Sequence, residues 1–309
     1  MQAEYTLEDI VRQLNEAPDS VLDLQGQKVF GKATSSRNLL ALRTDGAVLK
    51  NGVLAIPANT SLLLESDCSL ELEELVLETI IDHSSPPEQA STDLAPAATS
   101  ATVTLATNSS MTVKSVRCDG AAQSAFALGS GATLIGAALS IRGTCDNAIA
   151  VEGGSADVKG LHVTECTGAA VYSTQHGIVH LCSAWLGRNA GGALNLEGRS
   201  KAVLATSHME GPADIPVASI CDASELQCND CTVTSAACGA GIAAAGSETS
   251  VHLGSCSFSG LQPAMEAAQG AYVNADSCKF DSCGSAASDA TGELRPGDET
   301  DLCCNTRAA

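Results

Sequence analysis

Aromatic side chains make up only 3% of this 309-residue chain, with a single tryptophan, so neither a ring-filled globular core nor a broad aromatic cleft is within its means. Basic residues are scarce too: 16 Lys and Arg stand against 36 Asp and Glu, for a net charge of -20. Such a surface disfavours nucleic acid, anionic lipid and bare polygalacturonate, and favours basic protein surfaces or cations. Residues 1–5 lack the basic region and apolar run of a secretory leader, which points to the cytoplasm. The longest uncharged stretch, residues 120–141, is broken by glycines and polar side chains, so no membrane span is expected.

What the chain does have is a period. Large apolar residues recur about 23 residues apart at Ile141, Val163, Leu186, Met209, Val233, Phe258 and Phe280. A second series keeps step upstream (Leu134, Val158, Val179, Val203, Leu226, Val251, Val273) and a third downstream (Ile149, Val171, Leu194, Val217, Ile242, Met265). Glycines at 131, 154, 177, 198, 246 and 270 mark corners. Around each anchor polar and apolar residues alternate, as in Leu139-Ser140-Ile141, which is the period of a strand rather than a helix. Three short strands per repeat, each pairing in parallel with its counterpart one repeat on, make a parallel β-helix. Ten or eleven coils at about 4.8 Å each give a rod roughly 50 Å long.

Residues 1–18 form a separate cap. Thr6 with Asp9 starts a helix, Leu7, Ile10, Val11 and Leu14 share one face, and Pro18 stops it. The β-helix is expected over 19–293, with a loop insertion at about 82–100 that includes Ser85 before Pro86, and an irregular tail over 294–309. Fourteen cysteines without a visible leader imply free thiols. Cys231, Cys256 and Cys278 each stand two residues before an anchor and are expected to stack inside the bore. Cys221, Cys228, Cys231 and Cys238 contain one pair at zinc spacing but no second matched pair, so no metal site and no other cofactor is expected.

The opening Val21-Leu22-Asp23-Leu24-Gln25-Gly26, the segment Ala47-Val48-Leu49-Lys50-Asn51-Gly52-Val53 and the later coils resemble the pectate-lyase-like right-handed β-helix superfamily in their repeat pattern. That resemblance implies the handedness. It also implies polysaccharide lyases and hydrolases, whose motifs are missing here: the paired aspartates, the Gly-His-Gly segment and the Arg-x-Lys segment are all absent. Asp119, Asp146 and Glu165 are the best-aligned acids, at positions that read as solvated corners. Arg142 points outward, yet its aligned neighbours are Thr164 and Gly187.

These features lead to an expected all-β, right-handed parallel β-helix with an N-terminal capping helix and no catalytic residues. The expected role is a non-catalytic scaffold docking protein subunits of a larger assembly. The Ala/Gly/Cys bias resembles green-algal proteins, which makes the ciliary axoneme one such assembly. Its binding patch is expected on the outward row that carries Trp185, flanked one coil away on either side by His162 and His208. A polysaccharide lyase or glycoside hydrolase, or a carbohydrate-binding module, is the alternative.

Overall fold

A computed structural model of the chain describes residues 5–32, 36–80, 101–235, 239–285, 287–290 and 293–296. The described chain winds as a right-handed parallel β-helix. One coil runs through Thr133–Ala137 on a first face, Ser140–Arg142 on a second and Ile149–Glu152 on a third. Eleven strands stack on the third face, and 21 form the continuous sheet of the other two. The seven anchors pair residue for residue through the second face, from Ile141 against Val163 to Phe258 against Phe280. Every one of them is buried, and the last two stack their rings 5.0 Å apart.

The other two series are corrected in register. On the first face the inward column reads Leu134, Ala156, Val179, Ala202, Leu226, Val251, Val273. Val158 belongs to a parallel inward column with Gly136 and Leu181, and Val203 lies in an outward row between His180 and Gln227. Alanine holds the inward position in two coils, beside the buried Val158 and Leu204 of the adjacent column. On the third face Ala218, not Val217, pairs with Leu194 and Ile242.

The corner between the first and second faces is two residues long in every coil from Ser110–Lys114 to Tyr272–Asp276. Its first residue is left-handed each time: Ser115, Ala138, Gly160, Ser183, Thr206, Asp230, Ser255 and Ser277. A side chain in that conformation costs on the order of 1 kcal/mol. The backbone holds it there, because from Ser115 to Ser255 the corner N–H donates to a carbonyl of the next coil at 2.8–3.0 Å. Of the corner glycines anticipated from sequence, Gly131, Gly198, Gly246 and Gly270 have positive φ. Gly154 is needed for space instead, since a Cβ there would lie 2.7 Å from two carbonyl oxygens.

Helix α1 (Leu7–Glu16) covers the amino end with Leu7, Ile10, Val11 and Leu14 buried. The Thr6 hydroxyl accepts from the Asp9 N–H, and the Asp9 carboxylate accepts from the Thr6 N–H. Thr6→Ala is expected to lower unfolding free energy by about 1 kcal/mol, read as a shifted urea midpoint with unchanged slope. At the other end, Ala287–Ala290 and Glu293–Pro296 pair with the preceding coil. The insertion at 82–100, Ser85, Cys238 and residues 297–309 lie outside the described residues.

Cys231, Cys256 and Cys278 are buried in the bore. The Cys256 thiol donates toward the Cys228 carbonyl of the coil before it, 3.6 Å away, and Cys278 does the same toward Leu253 at 3.8 Å. They act as small apolar side chains that also satisfy carbonyls.

Candidate functional site

Alternation along the second face puts two rows of side chains outward from each short strand. In-register pairing places Arg117, Ser140, His162, Trp185 and His208 in one row. Asp119, Arg142, Thr164 and Gly187 make the other. Stacking at one coil per step drives the flat rings together: Trp185 lies 4.1 Å from His208 and 6.4 Å from His162, centroid to centroid, within 12° of parallel. Gly187 makes room, because a Cβ there would meet the indole Nε1 at 2.9 Å. The indole remains 39% exposed, an open apolar platform on an otherwise polar face. All three residues singled out from sequence are thus brought into one stack.

Beside the platform an open groove of about 600 Å3 is lined by Arg117, Asp119, Arg142, His162, Glu165, Trp185 and Arg188, among others. Arg142 grips Glu165 with two hydrogen bonds, Nε to Oε2 at 2.8 Å and Nη2 to Oε1 at 3.0 Å. Arg117 Nε pairs with Asp119 Oδ2 at 2.7 Å. The hydrogen bonds from Arg142, reinforced by its charge and that of Arg188, hold the Glu165 carboxyl below its ordinary range. Glu165 therefore stays ionised. His208 sits behind the indole, its Nε2 3.4 Å from the Thr234 hydroxyl. Burial pushes its pKa down, partly offset by Glu210, and the ring is uncharged at neutral pH.

Strand register alone hid the arginine's partner. Arg142 does align with Thr164, but Glu165 follows at the left-handed corner, with φ of 61°, and its side chain reaches back one coil. Asp146 does not line this groove; it accepts from Ser124 Oγ and Asn147 Nδ2 at 3.2 Å each. Arg117 and Arg188 were missed because no motif surrounds them. The signal available was three arginines, Arg117, Arg142 and Arg188, on the face of the only tryptophan, three coils away, two coils away and in its own coil. Among the described residues no three His, Cys, Asp or Glu side chains converge as a metal ion would require, and no helix is long and apolar enough to cross a membrane.

The sequence matches no protein-family model and no curated protein. Its fold matches solved structures. One is the catalytic domain of a GH87 alpha-1,3-glucanase in complex with nigerose, with a TM-score of 0.55 and 8% identity over 97% of this chain and 68% of that one. Another is the catalytic unit of a thermostable GH87 alpha-1,3-glucanase from Streptomyces thermodiastaticus, with a TM-score of 0.55 and 9% identity over 96% of this chain and 67% of that one.

These matches correct two expectations, that the chain is a non-catalytic scaffold for protein subunits and that it is not an enzyme. Both rested on missing motifs. A coil fold does not need them: groups three coils apart in sequence meet on one face, as Asp119, Arg142, Glu165 and Arg188 do here. Nothing in the fold or its matches supports a ciliary or cytoskeletal role.

Proposed function

We propose that this protein is a carbohydrate-active enzyme that binds a carboxylate-bearing polysaccharide across its second face and acts on it by proton abstraction. The observation that carries this reading is the exposed Trp185 platform lying beside three guanidinium groups in one groove. An indole face suits the apolar face of a sugar ring, and a guanidinium fork suits a carboxylate. The chain's net charge of -20 does not oppose this, because charges beyond a Debye length of about 8 Å are largely screened. Within the groove, three arginines face Asp119 and Glu165.

The choice of chemistry follows from the carboxylates. Acid-assisted hydrolysis needs one carboxyl that keeps its proton, whereas Arg142 keeps Glu165 ionised. Base-led chemistry asks less of the site. An imidazole nitrogen can serve as a general base, and His162 lines the groove together with Arg142 and Arg188. The imidazole takes the proton from the carbon bearing the carboxylate. The electron pair passes into the carboxylate, where the guanidinium groups offset the added charge. It then returns to form a carbon–carbon double bond as the glycosidic oxygen leaves and takes a proton from water. Reprotonation on the opposite face gives an epimer instead.

Trp185→Ala is expected to weaken binding of polyuronate oligomers about 30-fold, or about 2 kcal/mol, measured by titration calorimetry. Unchanged affinity, or no glycan bound by the native protein, removes the reading. Incubation with polyuronates is expected to yield unsaturated ends absorbing in the ultraviolet, or an altered epimer ratio. New reducing ends without unsaturation, on neutral glucans, would assign hydrolysis instead.

A further inference from the structure

A second cleft, of about 280 Å3, opens where the second face turns into the third near the amino end. The chain leads into it directly from the groove: Asp119 lines the groove, and Ala122 and Gln123 line the cleft. Arg37 stands at its edge, exposed, and no carboxylate among the described residues pairs with it. The Thr60 hydroxyl lies behind the wall, buried in the inward column of Leu62 and Leu64 and without a hydrogen-bond partner among the described residues. Ser61, Thr102 and Gln123 add hydroxyl and amide groups. A guanidinium fork beside hydroxyl and amide donors suits a planar anion rather than a cation or an apolar group.

We propose that this cleft is a separate binding site for the carboxylate of a sugar acid. Two sources supply that chemistry: a distal unit of the polymer lying on the Trp185 platform, or a free sugar acid. The first rests on the polysaccharide reading above; the second does not. Gln123 lies three coils from Trp185 and Arg37 six, roughly 14–29 Å at about 4.8 Å each, so a short oligomer cannot occupy both places and a long one can.

The test compares native protein with Arg37→Gln by titration calorimetry, using a trimer and an octamer of galacturonate, monomeric glucuronate and a neutral maltooligosaccharide. Arg37 is exposed, and a circular dichroism spectrum checks that the variant keeps its fold. A roughly tenfold loss with Arg37→Gln confined to the octamer supports the cleft as a distal site for polymer. A loss shared by glucuronate supports it as a site for the free acid. Equal octamer and glucuronate affinities in native protein and Arg37→Gln overturn the inference, as does a native protein that binds neither. If the octamer fails to bind while glucuronate binds through Arg37, the Trp185 reading falls and the cleft stands.

Discussion

Replacing His162 by glutamine is expected to lower turnover of a polyuronate by about 10²–10⁴-fold while oligomer affinity changes by no more than about threefold. Glutamine keeps a hydrogen-bonding side chain of similar reach but has no basic nitrogen, so it removes the proton acceptor without emptying the space. The ring's stacking on Trp185 is the looser of the two contacts, at 6.4 Å against 4.1 Å for His208, so the platform keeps its closer support. Initial rates and binding isotherms on the same preparation separate the two effects. If kcat is unchanged, the base lies elsewhere and the proposed proton path is wrong. If KM rises with kcat intact, His162 is a binding residue only.

Val163→Asp is expected to abolish the cooperative folding transition. Val163 is fully buried between Ile141 and Leu186 of the neighbouring coils, and the bore there offers no cation. An unpaired carboxylate in that column costs more than about 4 kcal/mol, against a typical total stability of about 5–15 kcal/mol. In a solenoid each coil is held chiefly by its neighbours, so one ruined rung interrupts the column at its middle. Lys279→Asp is the control: it stands in the outward row, one residue before the anchor Phe280, and is exposed, with an expected change within about 0.5 kcal/mol. Urea titration followed by circular dichroism distinguishes them. Near-native stability of the aspartate variant would mean that Val163 does not face the bore.

How far the sequence leads differs between the core and the site. The anchors from Ile141 to Phe280 were legible because one large apolar residue per coil, always at the same distance from the preceding corner, leaves a clean period. The first-face column was not, since Ala156 and Ala202 carry the inward position and the eye passes to the bulkier Val158 and Val203. Trp185, His162 and His208 were legible by the same row logic. The Arg142 to Glu165 pair was not, because it joins a strand residue to a corner residue one coil away, a diagonal that strand register does not encode. Function was the least legible level: a scaffold was inferred from absent motifs, while residues spread from Arg117 to Arg188 assemble only when the coil is wound.

The fixed two-residue link between the first and second faces leaves changes in repeat length to the other two edges. One of those edges opens onto both the groove and the Arg37 cleft. Lineages carrying this architecture can therefore lengthen, shorten or exchange the segments bordering the ligand surface without disturbing a single rung. An engineer wishing to graft a foreign peptide or domain should choose that rim and leave the amide-clasped seam alone.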